Sequence, residues 1–477
     1  MKFQSILYII FLAVIWTASL CLRRPSARRV TLLVASYVFY LTLGPAFVVV
    51  LIASSLFNYG WGAVLRRKPR PLMLWVGVLV NIVLLMSFKH LGMALGFLHL
   101  QGSFLASFIA PVGLSFYTFQ GMSYLLDVYR EAEDTSPNVI EFLLYMAFWP
   151  TVLAGPICRV GEMVPQFRRM EDPALEDVSA GTQRLLFGVF MKVVLAELLA
   201  HGIEASEGVT TGFDTLSGGW SGIDVWFLAV GFGFQLFFDF AGYSNIAIGS
   251  ARLFGIKLRE NFHDPYLSRT PSEFWTRWHM SLSSWIRDYV FFPLATARRE
   301  VWWRNLALVF SMLIFGLWHG LTATFALWGL YNGLLLVGHR LLQQARPRRI
   351  SGDDGGFSIL KSGGALLSWG VTFALISLGW ILFRANSLSQ SLVMLRAVVD
   401  PHRYFQPSMR LNFYVLVFAV AAGYFVFVGL RELVRRAQKQ PVFARVIVAA
   451  APVLYAALIL AILIWSRFAT TFVYVQF

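Results

Sequence analysis

Runs of eighteen or more apolar residues recur from one end of this 477-residue chain to the other. A run of that length is what an α-helix needs to cross a hydrocarbon layer of ~30 Å. Many such runs cannot share the core of one soluble domain. The composition agrees: 57% of the residues are hydrophobic and 14% are charged, against ~45–50% and ~25% in soluble domains. The fold class expected is therefore all-α and polytopic in a membrane. Because the runs are spread throughout, residues 1–477 read as a single membrane-embedded domain. No repeat of fixed period and no low-complexity tract interrupts it.

Charge sets the expected topology. Residues 30–65 are an apolar stretch of ~54 Å as one helix, too long for a single crossing. Gly44-Pro45 near its middle marks a hairpin. Arg23, Arg24, Arg28 and Arg29 then share a side with Arg66, Arg67, Lys68 and Arg70, and excess positive charge marks the cytoplasmic side. Further basic loops follow at Arg159–Arg169, Arg252–Arg304, Arg340–Lys361 and 430–438. This gives about eleven crossings plus partial ones, with both termini outside. The first apolar run is followed by Arg23-Arg24 and not by a small-residue cleavage site, so it reads as a retained span.

The net charge of +15 fits anionic lipid headgroups or a phosphate-bearing ligand at the cytoplasmic face. No basic soluble module is present, so nucleic acid is not an expected partner. Cys21 and Cys158 offer neither a disulfide framework nor a CxxC pair, and no metal site is expected.

The segment FWTRWHMSLSSWIRDYVFFPL (274–294) is the first stretch with chemistry in it. Trp275, Trp278, His279, Leu282, Trp285, Ile286 and Tyr289 fall on one face at helical spacing. The segment is too charged to span, and an interfacial or partly inserted helix is predicted. Thr270 or Ser272 would cap it, with Pro271 in its first turn. The tryptophans would seat it at the membrane surface. His279 on that face is either a buried histidine that bonds a carbonyl or a reactive group with a second one nearby.

His319, in FGLWHGLTATFALWGLYNGLLL, lies well inside the apolar run 306–342. A histidine at membrane depth marks a functional site. The glycines around it allow a broken or tightly packed helix there. Asp239, in FQLFFDFAGYSN, follows an almost purely apolar run and needs a partner. An arginine is one expected partner, and an oriented histidine is the other. Asn261 and Arg287, with Asp239, are candidate supports.

The chain has no GxxxxGK[ST], GxSxG, HExxH or strand-linked GxGxxG. The scattered carboxylates argue against a paired-carboxylate hydrolase. The chemistry left is proton removal from a hydroxyl by histidine, with the oxygen attacking an activated acyl group. A thioester donor supplies its own leaving group, and the phosphates of acyl-CoA would match a basic inner face.

PVGLSFYTFQGMSYLLDVYR (111–130), FWPTVLAGPICRV (148–160), the block 234–294 ending in RWHMSLSSWIRDYVFFPL, GLWHG (316–320), WGLYNG (328–333) and LGWILFRA (378–385) resemble the membrane-bound O-acyltransferases (MBOAT). The resemblance is to the bacterial branch typified by alginate O-acetyltransferase. It implies a ring of tilted helices around a central funnel, with re-entrant or interfacial helices. It implies that His319 is the catalytic histidine and His279 its companion. It also implies acetyl-CoA as co-substrate, passage of acetyl across the bacterial inner membrane, and a periplasmic SGNH-type partner that completes polysaccharide O-acetylation. Two features depart from the family pattern: ATARREVWWRN replaces a Gly-rich basic stretch after the RDY helix, and Asn332 stands where many members have histidine. Two alternatives remain open from the sequence. One is D-alanyl transfer from a carrier-protein thioester to teichoic acid, which the RWHMSLS motif also resembles. The other is a transporter of a lipid-linked or acylated glycan.

Overall fold

A side chain buried in hydrocarbon has no water to complete its hydrogen bonds, so helices built on these apolar runs must satisfy their polar groups against one another. The computed structural model describes residues 3, 5–97, 111–131, 136–202, 208–214, 219–345, 359–404, 406–438 and 441–466. Among these the regular structure is helical throughout. Among the described residues six helices are long and apolar enough to cross a membrane: Pro45–Arg67, Pro71–Lys89, Gly222–Arg252, Val301–His319, Gly363–Arg384 and Leu411–Ala437. Ile6–Cys21, Leu388–Val399 and Ala449–Trp465 are shorter apolar helices. Other expected crossings, such as Pro25–Leu41 with 17 residues, reach only ~25 Å. The SGDDGG insert of the 340–361 loop lies outside the described residues.

The chain divides into two compact units, Met1–Val189 with Tyr243–Glu260, and Phe190–Gly242 with Asn261–Phe477. In the first unit the expected hairpin forms. Pro25–Leu41 and Pro45–Arg67 are joined at Gly44, whose φ of 156° suits a residue without Cβ. Asn58 and Asn81 exchange side-chain amide hydrogen bonds of 3.1 and 2.9 Å between two neighbouring membrane helices, the kind of polar joint that fixes helix pairs in lipid. The basic end of the hairpin is internally paired. Arg29 donates to Glu141 at 2.7 Å and Arg168 to the same carboxylate at 2.9 Å. Arg28 is buried against Asp172 and the Met170 carbonyl. Burial would raise the Glu141 pKa, but the hydrogen bonds from Arg168 and the Asn138 backbone, with the charges of Arg168 and Arg29, hold it below the usual carboxylate range. The loops around residues 28 and 168 therefore lie at one end of this unit, as their shared positive charge predicts.

The second unit carries both candidate histidines. Val301–His319 and Ala323–Ala345 pack as closely as their glycines allow. A methyl group on Gly316 would overlap the Phe325 carbonyl oxygen, and one on Gly329 would overlap the Met312 carbonyl oxygen. Gly316 thus serves close approach rather than a kink. The helix ends at His319, where Gly320 is extended. Backbone cannot yield as a flexible side chain can, so Gly316→Ala or Gly329→Ala should cost about 1–3 kcal/mol by overpacking. Gly338 on the same helix has open space around it, and Gly338→Ala should change stability by no more than about 1 kcal/mol. Thermal unfolding in detergent checks this, with the two packed positions expected to fall well below Gly338→Ala.

Candidate active site

The His279 segment begins as its sequence predicts. Thr270 caps Pro271–Arg277 by accepting from the Glu273 N–H at 3.1 Å, with Pro271 in the first turn. The helix does not then run on. Trp278 is extended, His279 takes the left-handed conformation (φ 42°, ψ 52°), and a new helix starts at Met280. The single amphipathic helix expected over 274–294 is therefore two short helices broken at the histidine. A π-helical turn follows at Arg287–Phe291, an irregularity frequent at functional sites.

Left-handed backbone at a residue with a Cβ costs roughly 1–2 kcal/mol and needs outside support. Asn261 supplies it. Its backbone carbonyl accepts from the Met280 N–H at 2.8 Å. Its side-chain oxygen accepts from the Ser281 N–H at 3.3 Å and the Ser281 hydroxyl at 2.9 Å, and lies 3.0 Å from His279 Nδ1. A backbone N–H aimed at that atom identifies it as the amide oxygen, which cannot donate. Nδ1 must therefore carry the proton, and the Nε2 lone pair is left as an acceptor. The imidazole is 1% exposed, edge-on to Phe240 at 4.6 Å and stacked near Phe262 at 6.5 Å. This segment lies outside the membrane-crossing helices. Burial there pushes the His279 pKa down to about 3, so the ring is neutral at physiological pH.

His319 is the last residue of its helix and is 5% exposed. Rings enclose it: Trp318 at 4.6 Å, Phe383 at 4.8 Å, Phe315 at 5.4 Å, Trp328 at 5.6 Å and Phe325 at 5.8 Å between centroids. Both imidazoles belong to one unit. A continuous run of rings joins them, from Phe262 to Trp278 (5.2 Å), Trp380 (5.0 Å) and Phe383 (5.8 Å).

The other expected residues separate into neighbours and outliers. Trp278 is buried within this run, and Trp285 is buried against Tyr289 at 5.3 Å. With Trp275, also buried, they are core residues and not anchors at a membrane surface. Each is 8% exposed or less, which leaves little surface for headgroup contact. Arg287 is mostly exposed, bonded to Asp288 at 2.9 Å. Asp239 is ion-paired, as a buried carboxylate must be, with Lys192. Its chain neighbour Phe240 packs edge-on against the His279 ring. Asn332 donates to the Trp328 carbonyl at 2.9 Å within its own helix.

Sequence reasoning missed Lys192, Phe315, Trp328, Trp380 and Phe383. Lys192 had a legible signal, a lone lysine in GVFMKVVLAE. The aromatic residues had none, since rings are frequent everywhere in this chain. Among the described residues no group of three or more His, Cys, Asp or Glu side chains is arranged to hold a metal ion.

A sequence model described as the membrane-bound O-acyltransferase family matches residues 82–349. The chain is 32% identical over 463 residues to a protein of Pseudomonas putida named probable alginate O-acetylase AlgI, covering 92% of this chain and 90% of that one. It is 32% identical over 413 residues to the peptidoglycan O-acetyltransferase of Helicobacter pylori, covering 79% and 75%. A teichoic acid D-alanyltransferase of Streptococcus thermophilus is 32% identical over 242 residues, 47% of this chain. With its helices, its buried histidines and these matches, the chain belongs to the membrane-bound O-acyltransferase family and is an O-acyltransferase of a multi-pass membrane type.

Proposed function

We propose that this protein, acting as one membrane-embedded domain over 1–477 in the bacterial inner membrane, takes acetyl from cytosolic acetyl-CoA and delivers it for O-acetylation of a polysaccharide outside. A periplasmic SGNH-type protein would complete the transfer. The observation that carries the reading is His319, an imidazole that ends a membrane helix inside an aromatic cage. The likeness to alginate O-acetylases over nine-tenths of the chain supports acetyl as the group and polysaccharide as its destination.

The chemistry assigned to His319 is general base catalysis. Its imidazole takes the proton of an acceptor hydroxyl as the oxygen attacks the thioester carbonyl. The C–O bond forms and the C–S bond breaks. The departing thiolate takes the proton from the imidazolium, which leaves an ester, a free thiol and a neutral histidine. The rings around His319 keep bulk water from competing as the nucleophile. Removing a general base costs about 10²–10⁴-fold in rate. His319→Ala should lose transfer on that scale, in purified protein given labelled acetyl-CoA, with an unchanged elution profile. Full activity in that variant removes His319 from the chemistry.

His279 has a narrower role than polarising a carbonyl. With Nδ1–H held by Asn261, its Nε2 accepts hydrogen bonds and does not donate them. It therefore orients a substrate through an N–H or O–H, such as an amide of the donor's pantetheine arm. Lys192 and Asp239 anchor the helix from which Phe240 packs on this ring.

A histidine held neutral makes a signed prediction for stability. The folded pKa of about 3 lies below the unfolded value of ~6.5. Between them the unfolded chain binds more protons, so stability falls as the pH drops through that window. From about pH 7 to about pH 5 the wild type should lose more thermal stability than His279→Gln, which has no proton to gain. Parallel losses in the two proteins would show that His279 is not held neutral.

A further inference from the structure

The helix that ends in His319 presents Leu308, Ser311, Met312 and Phe315 along the face on which His319 stands, at helical spacing. These residues form one wall of a cavity of about 330 Å³. Further lining comes from the segment after His279, with Met280, Ser284 and Arg287, and from Leu336 on the helix Ala323–Ala345. The volume is at the lower end of the ~300–1,000 Å³ of small-molecule sites, and its lining is mostly apolar side chains.

Neither imidazole is among the residues of that wall. What stands between the cavity and His319 is Phe315, with Trp275 behind it. Both line the cavity. Phe315 is also 5.4 Å from the His319 ring, and Trp275 packs on Phe315 at 5.3 Å and on Trp328 at 5.8 Å. Phe315 lies one helical turn before His319. An acyl chain whose carbonyl sits at His319 and which extends along this face therefore meets the Phe315 ring first and the cavity only beyond it.

We propose that Phe315 is the specificity-determining residue for acyl length, a partition that admits a short acyl group to His319 and denies longer chains the apolar cavity behind it. This rests on the assignment of His319 as the site of transfer. The rings stand 4.6–5.8 Å from the imidazole, centroid to centroid, so a group received there must be small. Removing the Phe315 ring would open the imidazole toward the cavity, whose mostly apolar lining, with Leu308, Met312, Ile286 and Leu336 among it, suits a medium-length saturated acyl chain. The reaction is unchanged in either case: the thioester C–S bond breaks, the ester C–O bond forms, and the hydroxyl proton passes through His319 to the thiolate.

The test uses membrane vesicles from cells that carry each variant as the sole copy, so that native acceptors are present. Acetyl-CoA, butyryl-CoA and hexanoyl-CoA are supplied, and free thiol release is measured above the His319→Ala background. The wild type should use acetyl-CoA and leave hexanoyl-CoA at background. Phe315→Ala should raise the hexanoyl-to-acetyl ratio about tenfold or more, the scale on which pocket size discriminates between chains. Phe315→Leu, which keeps an apolar side chain in the packing, should raise it less. Leu308→Ala enlarges the cavity on the far side of the partition and should leave the ratio as it was. The proposal is overturned if both Phe315 variants keep the wild-type ratio, if Leu308→Ala raises it equally, or if the wild type already uses hexanoyl-CoA as well as acetyl-CoA. Thiol release that persists in His319→Ala is a different result: it removes the site assignment itself. Loss of that release with unchanged ratios in the Phe315 variants leaves the assignment standing and removes only the partition.

Discussion

In hydrocarbon no water is available to complete a hydrogen bond, so a buried charge or amide needs its partner within the chain. Lys192 meets Asp239, Asn58 meets Asn81, and Glu141 meets Arg29 and Arg168. An ion pair such as Lys192–Asp239 is weak evidence for net stability, because desolvation offsets most of its attraction. Removing one partner alone would be severe. Its effect is positional. It fixes the rotation of the Gly222–Arg252 helix, and with it the Phe240 ring that His279 packs against.

The same constraint shapes the two histidines differently. His279 is held by directed bonds. Asn261 gathers the Met280 and Ser281 N–H groups, the Ser281 hydroxyl and the imidazole, and so selects both a left-handed backbone and one ring tautomer. His319 stands at a helix end walled by rings. A group fixed by several bonds suits orientation, and one enclosed by apolar walls suits proton transfer away from water. Under the proposed function, that division would give the pair complementary roles in acyl transfer.

Much of the fold was legible in the sequence because length and charge act locally. Gly44-Pro45 marked a real hairpin, and the basic residues near 28 and 168 do converge. The apolar run 306–342 does split into two helices, with the break at the residue after His319. The site was less legible. Helical periodicity placed Trp275, Trp278, His279 and Trp285 on one face, and all four are buried, but no continuous helix puts them there. Non-local bonds from Asn261 overrule local propensity at His279, and periodicity carries no information about bonds across 18 residues of chain. Asp239 announced its need for a partner. Which cation would answer depended on tertiary packing, and Lys192 lies 47 residues away.

The central claim is that the acyl carbonyl is received at His319. It is tested most directly by an experimental structure in lipid nanodiscs with an acetyl-CoA analogue whose thioester is replaced by an unreactive ketone. The account predicts the ketone carbonyl beside the His319 imidazole, with its methyl group against Phe315 and the chain leading away past the His279 segment. A carbonyl seated elsewhere, with the rings around His319 still closed and no ligand atom touching the imidazole, would contradict it.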